Sequence, residues 1–398
     1  MKVKSFLLTA LAASMVLASC DKNESDINAP TDKSPKRVTI KLPNLTPSPK
    51  VRSVGDAMEA NSQVALENFK IFFLDANNTP VDIPEYEGEA QQVYFTNELS
   101  DSWEQITADG RELVYHFLPA ATVKVVIVGN QGGEITYDQL ANRTENVPND
   151  TQVTGESGTT NEHPTYTLYG EDELEEGGAP DDANHENVYQ ASVILEPRVS
   201  RFEIYGFEYE EAAGDAINKY TSVKLEKIAL NHYYTQYDFV TKIPSEAGKV
   251  FDTPTSAEIW TWVDGREAPW ADVLSSSETD VLSLSPGEKK DPNGVNLADG
   301  ANGENAEDII TYGLAHVDAA ANNPELLLTL HGTTADQKTE PIYLRGQFTA
   351  SSAFESGKIY RVLYSFSDDD FDHPERCVEL NVKVANWTVV PVTPEFNN

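Results

Sequence analysis

Cysteine is the scarcest chemistry in this 398-residue chain, which holds only Cys20 and Cys377. Two thiols build neither a disulfide framework nor a Cys-based zinc site. Basic residues are the second shortage: 29 Lys and Arg stand against 65 Asp and Glu, for a net charge of −36. A nucleic-acid surface needs cations for its phosphate contacts, and anionic lipid repels an acidic face, so neither is an expected docking partner. The acid excess reads as solubility and self-repulsion. Mean hydropathy is −0.43, too low for repeated membrane spans. Catalytic signatures are missing too. Gly155-Glu156-Ser157-Gly158 comes nearest to a nucleophile elbow and has the wrong spacing; there is no phosphate loop and no dinucleotide fingerprint. His116, His163, His185, His232, His316, His331 and His373 are scattered, with no two at metal-ligand spacing. The run from Asp291 to Asn296 begins like a Ca²⁺ loop but puts Val295 where an oxygen ligand belongs. Asp368, Asp369, Asp370 and Asp372 suit weak Ca²⁺ binding or a plain solvated loop, and Trp260 and Trp262, near Trp270, suit sugar stacking or simple packing. The expectation is a protein that is not an enzyme, with no catalytic residue, no cofactor and no metal.

What is present begins with a leader. Lys2 and Lys4 precede an apolar stretch over 6–16 that is too short to span a membrane. Leu17-Ala18-Ser19-Cys20 follows, small residues before a cysteine as in a lipobox, where the thiol is acylated and becomes the new N-terminus. Two or more acyl chains make a stable anchor. With Cys20 acylated, Cys377 is alone, and its place in an alternating strand marks it as a small buried filler. Residues 21–36 are a polar linker. Residues 37–42 then alternate, with Val38, Ile40 and Leu42 on one face and Thr39 and Lys41 on the other, as in a half-buried strand. Pro43, Pro47 and Pro49 lead to Lys50-Val51-Arg52, and 53–62 is small and polar. This is an exposed connector of the kind that proteases nick.

From Val64 onward the chain reads as many short strands: 69–74, 93–95, 112–118, 122–128, 189–195 and 201–205, then 223–230, 233–240, 325–330, 341–344, 358–366 and 378–387. Helix signals are confined to 256–263 and 307–314. Acidic loops are expected at 143–163, 170–187 and 285–308. The pattern predicts an all-β chain of two β-sandwich domains in tandem, with short helices in the loops. The expected division is a signal peptide over 1–20, a propeptide over 21–52 with a removable first strand, an N-terminal domain over 53–196 and a C-terminal domain over 197–398.

Four segments, in this order, carry a family resemblance: 69–80; Phe117-Leu118-Pro119-Ala120 through Val128-Gly129-Asn130; 193–201, with Glu196-Pro197-Arg198 at its centre; and the end of the chain, Gly357-Lys358-Ile359-Tyr360-Arg361-Val362, then 378–387 and Val389-Val390-Pro391-Val392. Together with the leader, and with the acidic Asp21-Lys22-Asn23-Glu24-Ser25-Asp26 that follows Cys20, they resemble the Bacteroidetes type V pilus (fimbrial) subunits. The resemblance implies two transthyretin-like sandwiches and export as an outer-membrane lipoprotein. It further implies surface cleavage by an Arg/Lys-specific protease, here between Arg52 and Ser53. The strand holding Val38, Ile40 and Leu42 then leaves, and a C-terminal strand of another subunit takes its place, here Val389, Val390, Pro391 and Val392 as donor. Its partners would be other copies, accessory fimbrial subunits, the membrane lipid that anchors the precursor and that protease, in a surface filament for adhesion. The long acidic insertions depart from the family and leave open stalk, accessory or tip subunit. The alternative class is a glycan-binding lipoprotein that keeps its anchor and first strand.

Overall fold

The computed structural model describes residues 33–43, 45, 63–84, 91–96, 112–132, 135–147, 166–231, 233–245, 249–250, 271–273, 282–298, 310–315, 324–348, 354–372, 378–386 and 388–391. Among them the fold is all-β. The first half holds β1 (Lys36–Lys41), β2 (Gln63–Leu66), β3 (Asn68–Asp75), β4 (Val93–Thr96), β5 (Leu113–Leu118), β6 (Thr122–Gly129), helix α1 (Tyr137–Ala141), β7 (Thr144–Asn146), β8 (Leu168–Glu173), β9 (Glu175–Glu176), β10 (Asn187–Ser192) and β11 (Glu196–Pro197). Two sheets form from these, in the orders β5-β1-β10-β9 and β11-β8-β6-β3-β4. They meet face to face: the Phe73 ring of β3 sits edge-on to Tyr115 of β5 at 5.1 Å. Val38, Ile40, Phe73, Val125 and Ile127 share that core and have no exposed surface. β3 and β6 are nearly continuous apolar runs because both their faces are covered, whereas β1 alternates because only one is.

The second half holds β12 (Val199–Tyr209), β13 (Tyr220–Asn231), β14 (Tyr233–Tyr234), β15 (Gln236–Asp238), β16 (Lys249–Val250), β17 (Ala271–Val273), β18 (Ser283–Leu284), β19 (Lys289–Lys290), β20 (Ile310–Ala315), β21 (Glu325–Thr334), β22 (Thr339–Phe348), β23 (Lys358–Phe366), helix α2 (Asp368–Asp372), β24 (Val378–Asn386) and β25 (Thr388–Pro391). Its main sheet runs β17-β13-β21-β22-β24-β23-β12-β19, with β18 on β13 and β20 on β12. Two ladders join the halves: β7 pairs with β15 and β2 with β25. Between them the Arg198 guanidinium stacks 3.6 Å from the Tyr169 ring and donates to the Val240 carbonyl at 3.1 Å. Tyr237 Oη donates to the buried Glu145 carboxylate at 2.9 Å, and Arg143 pairs with the same group at 3.1 Å.

Six sequence expectations need correction. Residues 310–315 form β20, a strand in register with β12, where a short helix was expected over 307–314; Ile310, Thr311 and Tyr312 are strand formers, and a neighbouring edge was available. The acidic stretch 170–187, expected as a loop, opens in the end of β8 and in β9 before it turns over 177–186, because its first acids find partners along β8: Lys124 lies 3.6 Å from Glu171, and the Ser192 N–H donates to Asp172 at 2.6 Å. The stretch 143–163 begins with β7, and 285–308 contains β19. Residues 193–195 leave the strand expected over 189–195, and 233–240 splits into β14 and β15. The helix signal at 256–263 lies outside the described residues.

Candidate assembly site

β1 occupies the middle of its sheet. On one side it pairs in parallel with β10, from Lys36↔Asn187 to Lys41↔Ser192. On the other it runs antiparallel to β5, with Val38 opposite Tyr115, Ile40 opposite Leu113, and a bulge between Lys36 and Val38. Neighbouring backbone bonds extend the ladder: Asn187 donates to Pro35 O and Val193 to Lys41 O, each at 2.9 Å. Val38 and Ile40 are fully buried, and Leu42 is half-buried against the same core. Burying each of the first two stabilises the strand by about 1.5–3 kcal/mol.

Alternation puts a third side chain inward, Lys36, which is 8% exposed. Its ammonium donates to the Thr122 carbonyl at 2.5 Å and lies 4.3 Å from the Tyr189 ring centroid. Burial pulls its pKa below the ordinary lysine range. Beside it, the fully buried Glu186 carboxylate reaches from the start of β10 to the bulge in β5. There it accepts the Phe117 N–H at 2.5 Å and lies 2.8 Å from His116 Nδ1. The two strands that flank β1 are thus bridged at this end by a side chain. Sequence reasoning missed both residues. Lys36 is in phase with Val38 and Ile40, a signal that was there to be read; Glu186 carries none.

The C-terminal strand is docked on its own chain. β25 pairs in parallel with β2 over Gln63↔Thr388, Val64↔Val389, Ala65↔Val390 and Leu66↔Pro391. Val64 and Leu66 are fully buried. Gly129 makes room for Leu66: a Cβ there would lie 2.8 Å from Leu66 Cδ1 and 3.0 Å from Leu168 Cβ. Val389, Val390 and Pro391 therefore sit in a short ladder, while Val392, Cys20, Arg52, Ser53, Cys377, Trp260, Trp262 and Trp270 lie outside the described residues.

The acidic motifs have structural partners. Asp291 Oδ1 accepts the N–H groups of Asn293 at 3.0 Å and Val295 at 2.8 Å, closing a turn. The stretch expected as a solvated loop at 368–372 is the short helix α2. Asp368 accepts Tyr209 Oη at 2.6 Å and the Lys219 N–H at 2.8 Å. Asp370 accepts the Ser367 N–H and hydroxyl, each at 2.8 Å, and Asp372 pairs with Lys219 at 3.0 Å. Among the described residues, no three His, Cys, Asp or Glu side chains gather as metal ligands.

No family model and no curated protein matches the sequence. Solved structures do. The chain is similar to a candidate cell adhesion protein from Bacteroides eggerthii DSM 20697, at 15% identity over 92% of this chain and 99% of that one, with a TM-score of 0.44. It is similar to a fimbrilin, FimA, from Porphyromonas gingivalis W83, at 13% identity over 90% and 99%, with a TM-score of 0.41. It is also similar to the fimbrial anchor protein Mfa2 from Porphyromonas gingivalis, at 11% identity over 83% and 90%, with a TM-score of 0.31. These neighbours are fimbrial and cell adhesion proteins of Bacteroidetes.

Proposed function

We propose that the chain is a structural subunit of a surface fimbrium used in adhesion. It is exported as an outer-membrane lipoprotein acylated at Cys20, cleaved between Arg52 and Ser53, and assembled by exchanging β1 for a C-terminal strand of a neighbouring subunit. The observation that carries this reading is the contrast between two strands. β1 is fully integrated, with pairing partners on both sides and Val38 and Ile40 in the core, yet the sequence ties it to the body through a Pro-rich basic connector. β25 is held to the first half by a four-residue parallel ladder, and parallel pairing is the weaker kind per residue.

Loss of β1 opens two sheet edges and an apolar groove together, a surface that recruits another strand. Strand addition supplies main-chain bonds for affinity and alternate side chains for register. In the strand that this chain donates to the subunit after it, Val390 and Val392 offer one two-residue period, Val389 and Pro391 the other, and we favour the first. Pro391 and Pro394 have no N–H to donate, so the pairing is edge-like at those points. One groove and one donor at different places make a head-to-tail contact, which does not close and so builds an open filament.

The test is Arg52→Ala. The variant is expected to stay full-length, membrane-associated and absent from filaments in cell fractions. Filaments at wild-type yield from Arg52→Ala would remove cleavage at this site as the trigger.

A further inference from the structure

The groove that β1 fills has three inward subsites, and they differ in chemistry. Two are apolar: Val38 lies between Tyr115 and Tyr189, and Ile40 between Leu113 and Ala191. The third, at Lys36, lies between Leu118 and Asn187. It is built for a long cation, because the Thr122 carbonyl accepts from the ammonium and the Tyr189 face lies 4.3 Å away. Thr122 itself has no exposed surface. A short side chain at this position would leave the carbonyl without its charged donor and the four-carbon stem's volume empty, and both losses weaken binding.

The donor strand proposed above, around Val389–Val392, has nothing to put there. If Val390 and Val392 take the two apolar subsites, the third receives Thr388 when the strand runs as β1 does, and Pro394 when it runs the other way. If Val389 and Pro391 take them, the third receives Trp387 or Thr393. Residues 384–398 hold no Lys or Arg, and Lys383 is committed to the ladder between β24 and β23, opposite Arg361.

We infer that the vacated groove selects a strand from a different polypeptide, one that carries Lys or Arg at the inward position two residues before its first buried apolar side chain. This rests on the strand-exchange reading above. It makes the groove-side neighbour a non-identical subunit, and it places this chain at a junction between unlike subunits rather than in a run of its own copies.

The experiment starts from full-length protein nicked in the 44–62 connector by brief trypsin treatment, with the product checked by mass. Labelled synthetic peptides then compete with the bound first strand, and uptake is read by fluorescence polarisation. The peptide of residues 34–45 and its Lys36→Arg form are expected to exchange in. The Lys36→Thr form and the peptide of residues 387–398 are expected to bind at least tenfold more weakly. In the full chain, Lys36→Thr is expected to speed release of the nicked strand by a similar factor. Equal uptake of the Lys36→Thr and native peptides, or unchanged release from the Lys36→Thr chain, would overturn the cation subsite and leave strand exchange standing. Failure of every peptide, the native one included, would overturn strand exchange and the inference with it.

Discussion

Val38 and Ile40 anchor β1 through burial alone, whereas Lys36 and Glu186 give one end of its groove a polar character. This division sets what single substitutions do. Ile40→Ala deletes buried methyl groups from a packed core and should cost the intact precursor about 2–5 kcal/mol. Thr39→Ala, one residue away on the half-exposed face, should stay within about 0.5 kcal/mol of wild type. Urea unfolding of the full-length protein checks the pair; equal effects would mean that the two faces of β1 are not distinguished as the structure has them. Legibility at this scale was uneven for a physical reason. A period of two showed the apolar positions Val38 and Ile40. The same period points to Lys36, but a lysine reads as solvent-facing until the carbonyl and ring that receive it are known, and both come from distant strands. Glu186 is further from reach, since its burial depends on a bulge in β5 that no local pattern announces.

Among the elements, the pairs that matter are β1 in its sheet and β25 on β2. Strands were legible wherever one face met water or a run of β-branched residues lay between turns, as in β3, β6, β21 and β23. They were not legible where the strand is acidic. β8 carries Glu171, Asp172 and Glu173, and reads as a loop because the lysine and backbone N–H groups that accommodate those acids arrive only with the sheet. β20 reads as a helical turn because its partner, β12, lies about a hundred residues upstream. The parallel pairing of β25 with β2 is not legible in the sequence either, where the C-terminal strand reads only as a donor to a neighbouring molecule. The two roles are compatible if the strand leaves β2 on assembly. Deleting residues 388–398 should therefore yield a folded, cleavable subunit that accepts a strand and donates none. Mixed with wild type it should shorten filaments in electron micrographs, and filaments of normal length from the truncated protein alone would rule out this donor.

Across the whole molecule, two halves are cemented by Arg198 on Tyr169 and by the Tyr237–Glu145–Arg143 cluster, while β1 belongs to the first half alone. On the proposed assembly, that arrangement would let β1 depart without disturbing the second half, whose main sheet it does not enter. Cleavage after Arg52 would remove nine bases and four acids, leaving 20 of 29 bases and 61 of 65 acids and a net charge of −41. On the proposed processing the mature subunit would be more strongly acidic than its precursor, and its assembly would rely on the groove rather than on attraction between surfaces of opposite charge. The central claim is that the assembled subunit has lost β1. The most direct measurement is N-terminal sequencing and intact mass of this protein from filaments sheared off the cell surface. The account predicts a chain beginning at Ser53, with no residues 36–41 and no acyl group; a chain that still begins at an acylated Cys20 and retains β1 would contradict it.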